Sequence, residues 1–275
     1  MKRDEFGDRM KAYEAIETSR RLDTSLPVYA RIDGRGFSKF TRGMRRPFDP
    51  RMTAAMQEAT RHLVAATDAR LGYTQSDEIS LIWEVGRDNP ESQMFFDGKV
   101  QKLCSVLAGL ATAAFMRAVA TSPDLEFAAY ADRLPHFDAR AFNLPSREEG
   151  ANAFLWREMD ATRNAVSMTA HANFSAKSLH GVSVAGMRER LQAAGIAFDA
   201  YPDAFRRGSY FRRVTEERVL APEELARIPE KHRPPADQKV LRSSVKAVEM
   251  PPFVTVQNRV AVVFEGEEPA TALAA

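Results

Sequence analysis

Between Val28 and Leu144 the spacing of apolar residues switches repeatedly between a period of two and a period near 3.6, and this succession limits the possible folds more than composition does. Val28, Ala30 and Ile32 alternate with Tyr29 and Arg31, which predicts a half-buried strand running into the turn Asp33-Gly34-Arg35-Gly36. By the same period, Asp33 falls on the face opposite the Val28/Ala30/Ile32 stripe. Asp49-Pro50 supplies an N-cap and a first-turn proline for a helix whose apolar stripe is Met52, Ala55, Met56, Ala59, Leu63 and Ala66, with Gly72 closing the segment. Tyr73 to Trp83 has two β-prone arms around a polar centre and predicts a hairpin with Asp77 and Glu78 near its tip. Val100, Leu103, Cys104, Leu107, Leu110, Ala111, Ala114 and Phe115 recur at helical steps with small residues between them, the pattern of a long buried helix. Phe137 to Leu144 then reads as a further strand.

The order strand, helix, hairpin, helix, strand predicts an α+β fold. Its core is a split βαβ, ferredoxin-like antiparallel sheet with helices on one face, followed by a C-terminal α/β extension. Leu134-Pro135 marks the expected boundary, dividing the chain into 1–135 and 136–275; 275 residues suit about two domains. Helical spacing returns over 149–169 and over Val182 to Ala194, where Gly195 ends it; Ile228 to Lys239 is a proline-bearing charged loop. Beyond Phe264 the tail EGEEPATALAA has little to bury and is expected to be disordered. The longest apolar stretch, Val106 to Met116, is shorter than the roughly 20 residues a membrane span requires. The start, MKRDEFGDRMKAYE, lacks the apolar core of a secretory signal. With Cys104 the sole cysteine, no internal disulfide can form, and the expected compartment is a reducing cytoplasm.

Net charge is only +2, but the charge is unevenly placed. Residues 31–51 hold seven cations (Arg31, Arg35, Lys39, Arg42, Arg45, Arg46, Arg51) against Asp33 and Asp49. A second cluster, Ala204 to Arg213, carries Arg206, Arg207, Arg212 and Arg213 with no acid, interleaved with Phe205, Tyr210 and Phe211. Such patches suit phosphates or nucleic acid; each is also compatible with a solvated face or an amphipathic edge strand.

Asp33 alone is compatible with an ordinary Asp-Gly turn, and Asp77-Glu78 alone with a solvated hairpin tip. Delivered from adjacent strands beside a Gly- and Arg-rich loop, they acquire a specific use. Magnesium takes oxygen ligands, commonly one or two carboxylates completed by substrate phosphates. Two such ions roughly 4 Å apart can activate an attacking hydroxyl and neutralise a leaving pyrophosphate. Gly34 and Gly36 let the backbone approach phosphate closely. Arg35, Lys39, Arg42, Arg45 and Arg46 would surround a triphosphate with positive charge. The five histidines (His62, His136, His171, His180, His232) show no zinc-ligand spacing, Cys104 fits packing better than nucleophilic catalysis, and no G-x-x-x-x-G-K-[ST] element is present.

Arg31-Ile32-Asp33-Gly34-Arg35-Gly36-Phe37, Arg46-Pro47-Phe48-Asp49 and Gln75-Ser76-Asp77-Glu78, followed by Phe137-Asp138-Ala139-Arg140, Trp156-Arg157-Glu158-Met159-Asp160 and Arg206-Arg207-Gly208, resemble in order the tRNA(His) guanylyltransferase family and its tRNA-repairing relatives. The resemblance spans about residues 5 to 213. It implies a polymerase-palm-like catalytic domain over 1–135 and a tRNA-contacting region over 136–275. It implies a nucleotidyltransferase that adds nucleotides to the 5′ end of tRNA in the 3′-to-5′ direction, with two Mg2+ ions and with ATP and GTP as substrates. It places the metal ligands on Asp33, the Gly34 carbonyl and Asp77, and the catalytic acids on Asp33 and Asp77, with Glu78 in an auxiliary role. Nucleotide contacts fall on Asp33, Gly34, Arg35, Gly36, Phe37, Ser38, Arg46, Ser76 and Asp77. Asp160, Asn164, Arg206 and Arg207 become candidate RNA contacts, although Asp160 and Asn164 also suit an ordinary helix surface. The partner is tRNA and the implied assembly a homotetramer. One departure stands out: where tRNA(His)-specific members carry histidine two positions after the acid matching Asp160, this chain has Thr162, so a broader, template-dependent repair activity stands beside strict tRNA(His) selection as an expectation. A palm-type nucleotide cyclase or dinucleotide synthase, or a non-catalytic RNA-binding module, are the competing readings.

Overall fold

The computed structural model describes residues 4–86 and 93–271. Its elements run α1 (Glu5–Thr18), β1 (Val28–Arg35), α2 (Phe37–Phe40), α3 (Pro50–Thr67), β2 (Leu71–Gln75), β3 (Glu78–Trp83), α4 (Val100–Ala120), α5 (Leu125–Ala128), β4 (His136–Asn143) and α6 (Arg147–Asn173). They continue with α7 (Ala176–Leu179), α8 (Val184–Ala193), α9 (Asp203–Arg206), β5 (Ser209–Val219), α10 (Pro222–Ala226), β6 (Lys239–Val248) and α11 (Arg259–Phe264). Asp49 caps α3 as its sequence predicts, accepting from the Arg51 N–H at 2.9 Å, and Ser146 caps α6 through the Glu149 N–H.

The six strands form one antiparallel sheet in the order β4-β1-β3-β2-β5-β6. Three of them lie beyond residue 135. The division expected there does not divide the sheet, because β4 pairs with β1 over its whole length, from Val28↔Asn143 to Arg35↔His136. β2 pairs with β5 only from Thr74↔Ser209 to Leu71↔Arg212, so the remainder of β5 and its partner β6 leave the sheet as a two-stranded ribbon.

Helices cover both faces, a correction to the one-sided arrangement expected from sequence. Against one face, α3 and α4 bury Met56, Leu63, Leu107 and Phe115 on Val28, Ala30, Ile32, Ile79 and Leu81. Against the other, α6 and α11 bury Phe154, Ala161 and Phe264 on Tyr29, Leu71, Tyr73, Ile82 and Tyr210. The strict alternation in β1, which suggests one buried and one free face, is two buried faces near Tyr29, and only the end nearer Asp33 opens out. The C-terminal half of α6 packs with α8 and Phe205 in a third cluster. At 21 residues, α4 is long and apolar enough, by length and composition, to cross a membrane, which the shorter stretch Val106 to Met116 does not reveal. Here it is a core helix, with Leu103, Leu107, Ala111, Phe115 and Val119 buried.

The tail is also better ordered than its composition suggests. Residues 265–271 turn back on the body: the Gln257 N–H donates to the Ala270 carbonyl and the Ala270 N–H to the Asn258 side chain, both at 2.8 Å, and Thr271 bridges Val256. Backbone groups and Arg212, rather than apolar burial, hold it. The last four residues of that tail, and the first three of the chain, lie outside the described residues.

Candidate active site

Antiparallel pairing sets the acids side by side. Asp33, near the end of β1, has its Cα opposite Glu78 of β3 and Asp138 of β4. β2 and β3 join through Ser76 and Asp77, and Ser76 takes φ +55°, a left-handed conformation uncommon for a residue with a Cβ. The Gly34 N–H donates to the Asp77 carbonyl at 3.0 Å, which ties the turn after β1 to the hairpin tip. Burial pushes the Asp77 carboxyl upward, and the neighbouring negative charge of Asp33 pushes it further; a hydrogen bond from the Ser76 hydroxyl at 3.1 Å opposes both. Two carboxylates therefore repel each other in a partly desolvated place, an arrangement a divalent cation relieves.

Glu78 sits differently. Arg157 of α6 donates to it at 2.6 Å and Arg31 approaches its other oxygen at 3.8 Å. Burial raises its carboxyl and the two arginines pull it back. Both its oxygens face guanidinium groups, so Glu78 fixes the tip against α6 instead of presenting a free ligand. Among the described residues no group of three or more His, Cys, Asp or Glu side chains could by itself hold a metal ion. The donor set that remains, Asp33 with Asp77 and the adjoining Gly34 carbonyl, fits magnesium, which accepts two carboxylates and is completed by phosphates and water.

The turn after β1 is shaped by its glycines. A Cβ on Gly34 would collide with the Phe37 ring, and Gly36 has φ +69°. Phe37 itself is core, packed against Phe40, Phe115 and Phe137, so only its backbone is available to a ligand. Beside this turn opens a cavity of about 610 Å³. Ser38, Ser76 and Asp77 line it, together with Arg42, Arg45 and Arg46. These three arginines, and Arg35 and Lys39 nearby, are exposed, and none of the five side chains has an ion pair or hydrogen bond among the described residues. Of the expected nucleotide contacts, Asp33, Gly34, Arg35 and Gly36 are not part of the cavity lining. Its far wall, which the sequence does not disclose, comes from Ser167, Met168 and His171 of α6 and from Phe205, stacked on Phe48 with ring centroids 4.6 Å apart.

The other expected RNA contacts are engaged internally. Asp160 accepts from Arg157 at 2.9 Å and from Arg163 at 3.2 Å, with the Asn164 amide at 3.5 Å, while Thr162 bonds back to the Glu158 carbonyl. Arg206 bonds to the Tyr201 carbonyl and to Asp203 and Asp199; Arg207 bonds to Asp203 and the Met250 carbonyl and stands 3.7 Å from Glu158. Arg212 pairs with Glu268, and Arg213 with Asp68. The cluster that has no acid in sequence is thus paired with acids that lie outside it, Asp203, Glu158, Glu268 and Asp68. Glu158, part of the Trp156–Asp160 motif but given no role from sequence, is buried and accepts the Tyr210 hydroxyl at 2.8 Å and the Phe253 N–H at 2.7 Å.

A carboxylate near the end of β1 and another at the β2–β3 turn stand beside a cavity lined by arginines. The profile described as Thg1: tRNAHis guanylyltransferase matches residues 7–145, about half of the chain, and the chain belongs to that family. It is 31% identical over 187 residues to an uncharacterized protein of Acanthamoeba polyphaga mimivirus, covering 62% of this chain and 63% of that one, so it spans under two thirds of that relative's length. It is 29% identical over 218 residues to the tRNA(His) guanylyltransferase of Schizosaccharomyces pombe, covering 73% and 80%. Among solved structures, a bacterial tRNA(His) guanylyltransferase (Thg1)-like protein in complex with ATP superposes with a TM-score of 0.74 at 30% identity, over 95% of this chain and 98% of that one. Such a protein in complex with GTP superposes with a TM-score of 0.69 at 30% identity, over 91% and 94%.

Proposed function

We propose that this chain is a magnesium-dependent nucleotidyltransferase that adds GMP, or nucleotides dictated by a template, to the 5′ end of a tRNA in the 3′-to-5′ direction. The observation that carries this reading is the Gly34–Asp77 backbone hydrogen bond, which sets the turn carrying Asp33 against Asp77 beside a cavity whose arginine side chains have no protein partner among the described residues. Magnesium held by Asp33, Asp77 and the Gly34 carbonyl would neutralise phosphate charge and favour ionisation of an attacking hydroxyl. The chain's own groups orient the substrate. Ser38 and Ser76 offer hydroxyl donors, Arg42, Arg45 and Arg46 offset the triphosphate's charge, and the Phe48/Phe205 stack closes the far side.

The reaction runs in two stages. An oxygen of the RNA 5′-monophosphate attacks the α-phosphorus of ATP, releasing pyrophosphate and leaving an adenylylated end. The 3′-hydroxyl of GTP then attacks the RNA phosphorus of that end and AMP departs. Where the RNA carries a 5′-triphosphate, pyrophosphate leaves in a single step. Phosphoryl transfer of this kind depends on positioning and charge neutralisation more than on covalent help, and no histidine base is required. Thr162, whose hydroxyl is turned back on its own helix, supports a broad repair activity over strict tRNA(His) selection. The test is transfer of labelled GTP to tRNAs with intact and shortened 5′ ends. Asp33→Ala and Asp77→Ala are expected to reduce transfer to background while the thermal transition persists; full activity in either variant overturns the assignment.

A further inference from the structure

Trp156 is an anomaly in α6. It is 49% exposed, whereas the other tryptophan, Trp83, is 4% exposed and donates its indole N–H to the Thr67 carbonyl. Arg157 lies over the Trp156 ring at 4.4 Å and Arg31 of β1 at 5.8 Å. One turn along α6, Met159 is 51% exposed, and a further turn brings Arg163, also largely exposed. Across the sheet, Arg31 stands directly opposite Arg140 of β4, and Tyr29 opposite Phe142, which is partly exposed at the sheet edge. The result is an open shelf, floored by the β1/β4 edge and walled by Trp156.

Three features identify what the shelf would hold. Like charges directly opposite on neighbouring strands repel, so Arg31 and Arg140 favour an anion between them. Their acidic neighbours restrain them only through long contacts, 3.8 Å from Arg31 to Glu78 and 3.6 Å from Arg140 to Asp138. An exposed indole flanked by guanidinium groups is the chemistry by which proteins stack an unpaired nucleobase while tracking its phosphates. Position gives the third. Arg31 and Asp33 lie on one face of β1 two residues apart, about 7 Å, close to one nucleotide step from the carboxylate site.

We infer that Trp156 is a stacking platform for an unpaired base at the 5′ end of the RNA acceptor, with Arg31 and Arg140 taking the adjoining phosphate. This rests on the RNA substrate proposed above, and deepens it by assigning the face on which the acceptor end lies. Because Trp156 is the exposed indole of a two-tryptophan chain, its emission reports the contact directly.

The experiment titrates a 5′-truncated tRNA transcript into the protein, following intrinsic fluorescence and, separately, anisotropy of the labelled RNA. The transcript is expected to quench wild-type emission and to leave the residual Trp83 emission of Trp156→Phe unchanged. Trp156→Ala is expected to weaken RNA binding about tenfold or more, Trp156→Phe to retain most of the affinity, and Arg140→Glu to weaken it with a shallower salt dependence. The KM for tRNA should rise in Trp156→Ala while the KM for GTP does not. Wild-type RNA affinity in Trp156→Ala, with GTP transfer still observed in the unaltered protein, overturns the platform and leaves the proposed function standing. Emission that changes with protein concentration alone, with Trp156→Ala sedimenting as a smaller species, makes the shelf an interface between copies and also overturns it. Absence of both RNA binding and GTP transfer in the unaltered protein removes the function itself.

Discussion

The two arginine-rich stretches of this chain look alike in sequence and behave in opposite ways in the fold. In the loop after β1, Arg35, Lys39, Arg42, Arg45 and Arg46 are exposed, without a protein partner among the described residues, and three of them face the cavity beside Asp77. In the stretch around β5, Arg206, Arg207, Arg212 and Arg213 are each paired with an acid, drawn from α9, α6, the tail and the C-terminal end of α3. Local density of positive charge therefore does not measure positive potential. A cation already neutralised at short range adds little to the field a phosphate meets, whereas an unpaired one contributes in full. The charge of the first region is left open to solvent and that of the second is neutralised within the fold.

That contrast is open to direct attack. The largest effect is expected from reversing charge in the first region: Arg45→Glu combined with Arg46→Glu should lower kcat/KM for the triphosphate by about two orders of magnitude, since hydrogen bonds to charged groups are each worth roughly 1.5–3 kcal/mol. Urea unfolding of the same variant should shift by no more than about 0.5 kcal/mol, as expected for exposed, unpaired side chains. A variant that is markedly destabilised in urea yet uses the triphosphate with unaltered kcat/KM would dissolve the distinction. Next, Arg207→Ala in the second region should do the reverse. It removes donors to Asp203 and the Met250 carbonyl and a charge beside buried Glu158, at a cost of about 2 kcal/mol in denaturant unfolding, with the KM for triphosphate unaltered.

Smaller effects sharpen the comparison. Arg212→Ala is expected to cost under about 1 kcal/mol, because its acidic partner Glu268 is largely exposed, and to loosen the 265–271 tail, visible as faster amide exchange at Ala270. The smallest is a titration. Farther along β5, Arg218 pairs with Glu224, and that ion pair with the Ala221 N–H holds the Glu224 carboxyl down to about 2. Its folded value lies below the ordinary 4.5, so its stabilisation is present above that value and is lost as pH falls toward about 2. A carboxyl resonance titrating near 4.5 would show the pair to be absent in solution.

The site acids are legible in the amino-acid order because β-pairing and turn chemistry are local: alternation through Ile32 sets the face of Asp33, and the polar centre of the hairpin sets Asp77 at its tip. Glu78 is legible as a position but not as a role, since Arg157 reaches it from 79 residues away. The cavity's far wall is illegible for the same reason. Met168 lies in a stretch whose periodicity says only that it is helical, and nothing local marks His171 or Phe205 as facing the same cavity. The tail defies its composition because composition counts apolar surface and is blind to backbone hydrogen bonds such as those joining Gln257, Asn258 and Ala270.

The succession of strands and helices, the placement of Asp33 and Asp77 at strand ends, and the family's ordered motifs are all written in the chain, because each depends on residues within a few positions of one another. Folding in three dimensions was needed to settle which face of the sheet α6 covers, which arginines are neutralised and which stay free, and that Trp156 stands open beside Arg31. Those outcomes depend on contacts between segments far apart in the chain, where packing and charge pairing follow from spatial proximity that no local pattern encodes.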